Sequence, residues 1–274
     1  MQDGARGDEA GFAPLLIEQL DAGVVVVTMQ ARRGPVTLSD GMLEALQQAF
    51  DKLSAEADAR VIILAANGPA YCAGHDMKEM TARRTDADGG EAYFANLMTR
   101  CATMMQTIVR CPKPVIAAVH ATATAAGCQL VATCDLAIAA DTAKFATPGV
   151  NIGLFCSTPM VALSRNVPRK HTMEMLLTGE MIDAVTAAEF GLVNRVVPGD
   201  GVMECALGLA RTIASKSPLT VAIGKEAFYR QLEMPLAEAY VYAAEVMAKN
   251  MMARDAEEGI GAFIEKRAPE WKGE

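Results

Sequence analysis

Along the chain, short continuous apolar runs alternate with longer segments in which apolar residues recur every three to four positions. VVVVTMQ (24–30) reads as a strand, and Ser39 then caps a helix with Met42, Leu43, Leu46, Phe50 and Leu53 on one face. VIILAA (61–66) is apolar throughout, the pattern of a strand covered on both faces, and Asn67-Gly68 closes it with a turn. A helix over about 91–109 leads to the strand PVIAAV, a small-residue stretch, the strand DLAIAA (135–140) and a short strand in AKFAT. Strand and helix signals thus alternate at irregular intervals of about 40 to 50 residues, the mark of an α/β core without a self-similar repeat. From about Asp200 the strand signals vanish, and helical patterns follow one another, punctuated by Pro218, Pro235 and Asp255. The expected organisation is an α/β core over 1–199 and a helical region over 200–274. No Gly/Ser linker divides them, so the helical region should pack on the core or on a neighbouring subunit.

Charge narrows the partners. The 274 residues carry a net charge of -8 and no basic stretch, which argues against nucleic acid or an anionic membrane surface. An anionic ligand must then be held by a few placed Lys or Arg residues. No apolar run approaches the ~20 residues of a spanning helix, so no membrane insertion is expected. The opening MQDGARGDEAGFAPLL contains acids and no apolar signal core, and reads as a frayed tail rather than a targeting address. Seven cysteines form no C-x-x-C pair, and with only His75, His120 and His171 no metal-ligand pattern emerges. Reduced, buried thiols in a cytoplasmic protein are the expectation. Met98, Met104 and Met105 share the apolar side of a helix, either as core filler or as an adaptable wall for a flexible chain.

The candidate chemistry lies in the backbone. ATATAAGCQLVATCD (121–135) looks like a helix entry stripped of large side chains, where Ala125, Ala126 and Gly127 would let a ligand reach unpaired N–H groups. AYCAGHDM (70–77) is a second loop of this kind. Brought together, the two would form an oxyanion hole for a carbonyl.

Four ordered stretches, VIILAANGPAYCAGHDMKEM, KPVIAAVHATATAAGCQLVATCDLAIAADTAKFATPGVNIGLF, LTGEMIDAVTAAEFGLVNRVVP and EEGIGAFIEKRAPEW, resemble the crotonase (enoyl-CoA hydratase/isomerase) superfamily over nearly the whole chain. Within it, ATAAGCQLVA and FATPGVN look like the enoyl-CoA hydratase domain-containing protein 3 group. The resemblance implies a crotonase-like spiral of repeated ββα units, a helical C-terminal trimerisation region, and a homotrimer or dimer of trimers. It implies an acyl-CoA or enoyl-CoA thioester as ligand, with coenzyme A part of the substrate and no prosthetic group. The thioester carbonyl would be held by the main-chain N–H groups of His75 and Ala126.

Where the family's hydratases carry two glutamates, this sequence has Gln129 and Gly149. A carboxamide does not exchange a proton near neutrality and glycine offers no group, so ordinary hydration is not supported. Two readings stay open: an enzyme using other groups, and a non-catalytic acyl-CoA-binding protein. His75 titrates near neutrality, and Cys156 and Ser157 are candidate nucleophiles without an evident base. Asp135 matches an acid that is mainly structural in the family. For the CoA end, the resemblance points to Ala73, His75, Asp76, Met77 and Lys78 in the first loop, and to Phe263 and Lys266 near the C-terminus, often on a neighbouring subunit. ARRGPVTLSD departs from the family's usual Arg-Asn-Ala-Leu-Ser pattern but retains Arg32 and Arg33 as phosphate partners.

Overall fold

The computed structural model describes residues 12–274. Its main sheet has the order β1-β2-β3-β4-β6-β9, formed by β1 (Leu15–Gln19), β2 (Val24–Met29), β3 (Val61–Ala66), β4 (Val115–Val119), β6 (Leu136–Ala140) and β9 (Arg195–Val197). All neighbours are parallel except β1 and β2, which pair antiparallel from Leu15↔Met29 to Gln19↔Val25. The expected strands are therefore present, and the continuous apolar runs are buried on both faces.

β1 corrects the reading of the N-terminus. Leu15 and Leu16 belong to a strand, held by its ladder to β2, whereas the preceding residues 1–11 lie outside the described residues. Its apolar run Leu15–Ile17 is short and four of its five residues are exposed, so burial does not follow the strand period in this edge strand.

Each turn of the chain also contributes a short extended piece to a second layer. Residues 36–38, 71–75, β5 (Ala123–Thr124), β7 (Lys144–Ala146) and β8 (Ile182–Asp183) lie side by side in it. The stitches are Ala73 N–H to Val36 O at 2.8 Å, Leu38 N–H to Gly74 O at 2.8 Å and Thr124 N–H to Cys72 O at 2.9 Å. A strand in the large sheet, a short strand in the second layer and a helix thus recur as the ββα unit. The helices that follow these pieces are α1 (Asp40–Ala55), α2 (Met77–Ala82) with α3 (Glu91–Arg110), and α4 (Ala126–Thr133). α1 begins as its sequence says, with Ser39 Oγ accepting from Met42 N–H at 3.2 Å and the five apolar positions buried.

Short helices α5 (Pro159–Leu163), α6 (Arg169–Thr178) and α7 (Ala184–Glu189) lead to β9 and then to four longer ones. α8 (Val202–Ala214) lies on the large sheet against β2, β3, β4 and β6, with Val202, Ala206, Ala210 and Ala214 buried. α9 (Pro218–Gln231), α10 (Leu236–Met251) and α11 (Arg254–Glu265) pack on one another beyond it. Pro218 opens α9, Pro235 precedes α10 and Asp255 lies in the first turn of α11, where the sequence signals stand.

A polar joint ties α9 to the sheet. Lys225 Nζ donates to Asp135 Oδ2 at 2.7 Å and to the carbonyls of Ile108 and Lys113 at 3.1 and 3.0 Å. Tyr229 OH and Val115 N–H donate to the same carboxylate at 2.8 and 2.7 Å. Asp135 is thus satisfied on both oxygens, in a structural position.

Candidate active site

Two main-chain segments meet where the second layer gives way to helices. The first runs from β3 through residues 71–75 into α2, and the second from β4 through β5 into α4. Gly74 has φ +92°, and a Cβ built on it would lie 3.3 Å from Ala126 N and 3.0 Å from Ala125 Cβ. Glycine is therefore needed twice, for the left-handed turn and for the close approach that sets the His75 peptide beside the start of α4. Ala125 has φ 51° and ψ -121°, a conformation non-glycine residues rarely take, and its N–H donates to Ala146 O at 2.9 Å. Neither the His75 nor the Ala126 N–H donates to an acceptor among the described residues. Two such groups on touching segments, one of them at a helix N-terminus, suit an electron-rich oxygen.

Gly127 has a different job from the one its sequence suggests. A Cβ there would fall 2.1 Å from Cys72 O, so this glycine lets the first turn of α4 pack on the neighbouring loop rather than admitting a ligand.

His75 is half-buried, and its Nδ1 lies 3.2 Å from Leu38 O. A carbonyl only accepts, so Nδ1 carries the hydrogen and Nε2 is left as an acceptor, buried and without a partner among the described residues. Burial lowers its imidazole below the ordinary value, against the opposing pull of the Leu38 carbonyl and Asp40, so the ring is neutral near pH 7.

Gln129 is 4% exposed, in the first turns of α4, and its Oε1 has no hydrogen-bond partner among the described residues. Gly149 is buried in a short 3-10 helix, Pro148–Ile152, at an ordinary φ. A Cβ there would meet Leu154 O at 2.7 Å and Cys156 Sγ at 2.9 Å, so no larger residue fits without local movement. Burial pushes the Cys156 thiol up, the direction opposite to that of an activated nucleophile, although the Gly149 N–H opposes it. Ser157 is exposed, and its hydroxyl donates to Phe155 O at 3.4 Å. Among the described residues neither Cys156 nor Ser157 hydrogen-bonds to a side chain that could serve as a base.

At the expected CoA end, Asp76 is a helix cap. Its carboxylate accepts from Lys78 N–H at 2.9 Å, Glu79 N–H at 3.2 Å and Thr37 OH at 3.3 Å, which fixes the loop carrying His75. The Asp76/Glu79 spacing, an acid three residues before a glutamate at a helix start, is the sequence signal for this cap. Ala73 is partly buried in the same loop, while Met77, Lys78 and Arg33 are exposed. Phe263 and Lys266 stand exposed at the end of α11, and no hydrogen bond or ion pair among the described residues ties them to the 71–78 loop. Two surface hollows, one beside Ala59, Pro112 and Lys216 and one on α10 around Val241 and Tyr242, lie outside these loops. Among the described residues no cluster of His, Cys, Asp or Glu could hold a metal ion, and no helix is long and apolar enough to cross a membrane.

The family model for enoyl-CoA hydratase/isomerase matches residues 19–274. The chain belongs to the enoyl-CoA hydratase/isomerase family. It is 44% identical over 271 residues to the human enoyl-CoA hydratase domain-containing protein 3, mitochondrial, a match covering 99% of this chain and 88% of the relative. Its counterpart from Rattus norvegicus is 45% identical over 247 residues, covering 90% of this chain and 80% of the relative. Among solved structures, an enoyl-CoA hydratase from Mycobacterium smegmatis superposes with a TM-score of 0.89 at 48% identity, covering 95% of this chain and 99% of that one. The human domain-containing protein 3 gives a TM-score of 0.89 at 45% identity, covering 94% and 100%. The crotonase-type spiral expected from the sequence is therefore the fold of this family member. These relatives also overturn the cytoplasmic expectation, because both domain-containing protein 3 relatives are named as mitochondrial. Thiol state does not separate two compartments that both keep cysteines reduced, and the N-terminal argument rested largely on residues outside those described.

Proposed function

We propose that the chain binds an acyl-CoA or enoyl-CoA thioester whose carbonyl oxygen accepts hydrogen bonds from the main-chain N–H groups of His75 and Ala126. The observation that carries this reading is the contact of Gly74 with Ala126, which sets two N–H groups without acceptors on adjoining segments. Donors fixed in the fold stabilise enolate-like charge on the carbonyl oxygen without reorganising. Coenzyme A enters as part of the substrate, and no prosthetic group is required. Lys78 and Arg33 are the cations of this chain on the CoA side, while Phe263 and Lys266 serve a neighbouring copy. Residues 200–274 are the oligomerisation region of a homotrimer or dimer of trimers, a reading supported by the exposed apolar faces of α9–α11.

Ordinary hydration is not part of this function. A water would have to lose one proton and the acyl carbon gain another, yet Gln129 exchanges none and Gly149 has no side chain. The principal reading is therefore thioester binding without hydratase turnover. A second reading, an enzyme working through His75, is favoured by the neutral ring and its unpartnered Nε2.

The test compares butyryl-CoA with its thioether analogue S-butyl-CoA, which lacks only the carbonyl oxygen. Two neutral hydrogen bonds at about 1 kcal/mol each correspond to roughly thirty-fold tighter binding of the thioester. Equal affinities would overturn the carbonyl cradle. Crotonyl-CoA, followed by loss of its enoyl absorbance, should bind and stay unchanged; steady hydration abolished in His75→Asn would select the second reading.

A further inference from the structure

The stretch EKRAPEW runs off the end of α11, and the thioester reading uses its lysine but not its arginine. Arg267 is exposed, yet its guanidinium forks onto both oxygens of Glu258, with Nη1 at 2.6 Å and Nη2 at 2.9 Å, while Nε donates to Glu265 at 2.7 Å. Glu270 N–H donates to the same Glu258 carboxylate at 2.8 Å. One arginine thus ties together the second turn of α11, its last residue and the segment that follows. Single exposed ion pairs contribute little to stability. A planar fork shared by two carboxylates, in contrast, fixes direction as well as distance.

What this clasp encloses is a strained turn. Lys266 has φ 57° and ψ 40°; its N–H donates to Phe263 O at 3.3 Å and that of Arg267 to Ala262 O at 3.0 Å, the bond pair of a Schellman turn. Glycine usually takes the left-handed position of such a turn, because a Cβ is disfavoured there. α6 ends on glycine in this conformation, Gly179 at φ 64°. Among the described non-glycine residues only Ala22, Ala125 and Lys266 have positive φ, and Ala125 stands at the carbonyl cradle. Strain of this kind persists only where the surroundings over-determine it. At Lys266 the clasp made by the next residue does so.

We infer that Arg267 is a positioning residue: by clasping Glu258 and Glu265 it holds Lys266 in the left-handed turn, and so fixes where that lysine stands when it meets the phosphates of a thioester on a neighbouring copy. The inference rests on the thioester-binding reading above. Arg267 acts through the main chain of Lys266 and does not itself touch the ligand.

The test is equilibrium binding of butyryl-CoA and of butyryl-pantetheine, which lacks the nucleotide phosphates, to the full chain in its assembled state. Lys266→Gln should weaken butyryl-CoA about ten-fold without a matching loss for the pantetheine thioester. Arg267→Gln should give a comparable loss for butyryl-CoA alone, and in the Lys266→Gln background it should add less than about two-fold, because the two residues act as one unit. Arg267→Lys keeps the charge but not the fork, and should lose nearly as much. Wild-type affinity in Arg267→Lys, an Arg267→Gln loss that is the same with and without Lys266, or an equal loss for both ligands would each overturn the inference. Glu258→Gln opens the same clasp from its other side and should repeat the Arg267→Gln result, so it decides the matter where an Arg267 variant fails a thermal melt. Failure of the underlying reading looks different: butyryl-CoA would then not bind, or Lys266→Gln would bind it as the wild type does.

Discussion

Helices α1 and α10 are both 16 residues long and α10 is the more apolar of the two, yet α1 is the one that is covered. α1 buries Met42, Leu43, Leu46, Ala49, Phe50 and Leu53, whereas α10 buries only Ala239. Leu236, Tyr240, Val241 and Met247 on α10 are between 62% and 76% exposed. α10 is apolar enough to be covered, yet within the described residues most of its large side chains stay open to solvent. α1 meets β1 and α3 of its own chain; α10 meets α9 and α11, and among the described residues nothing covers its outer face. Apolar patches of this extent on soluble proteins mark contact surfaces, which fits the proposed assembly through α9–α11.

The largest expected effects lie on the side of the comparison that is already covered. Phe50→Ala empties a site with 0% exposure and should lower unfolding free energy by about 3–5 kcal/mol in urea titrations. Lys225→Met removes the cation from Asp135 at the joint between the outer helices and the sheet, leaving a poorly solvated carboxylate. Its expected cost is about 3 kcal/mol, toward the low end for breaking a buried pair because 15% of the Asp135 side chain remains exposed. A loss below about 1 kcal/mol would mean that the Tyr229 hydrogen bond to Asp135 and apolar contact hold α9 in place without the Lys225 cation.

On the uncovered side the effect should be on mass rather than on the fold. Light scattering should give an oligomer of the 29.0 kDa chain, and the double change Tyr240→Glu with Val241→Glu should return it to a monomer. The dissociated chain should keep its helix content, since neither side chain is packed in the single chain. A wild-type protein that is already monomeric at micromolar concentration would remove the assembly reading altogether.

The same comparison shows what a sequence can carry. Positions such as Leu46 and Val61–Ala66 were legible because burial follows the helical or strand period, and each lies where its pattern places it. The packing surface of α8 and the exposure of α10 were not, because both are helices of similar pattern and only the fold decides which one covers the sheet. At the proposed site, the groups assigned to His75 and Ala126 are main-chain N–H groups, which no side-chain pattern encodes, so the assignment rests on the family resemblance. Gln129 was legible as a departure, but its bare oxygen was not, since that depends on every neighbour's hydrogen bonds. The contact of Gly127 with Cys72 O is likewise a distance between segments 55 residues apart in sequence, which no local pattern reports.

The smallest expected effect separates the core from the outer layer by pH. Burial holds the folded His75 imidazole below its ordinary 6.5, while in the unfolded chain it takes up a proton as pH falls through that value. The unfolded state then binds more protons, so stability falls on acidification below 6.5 and levels off once the folded ring is also protonated; above 6.5 the contribution is fully present. The outer layer answers lower down. Hydrogen bonds from Arg267 and from Glu270 N–H hold Glu258 at about 2, so its contribution is present above the ordinary 4.5 and is lost as pH falls toward 2. Asp255 behaves alike: burial pushes its carboxyl up, but hydrogen bonds from Ser217, Lys272 and Gly273 outweigh it and keep the group low. Urea midpoints measured from pH 7.5 to 5.5 should therefore decline modestly in the wild type, and the decline should flatten in His75→Asn, which retains a donor for Leu38 O. Equal slopes in the two proteins would show that the acid response of the core comes from another group.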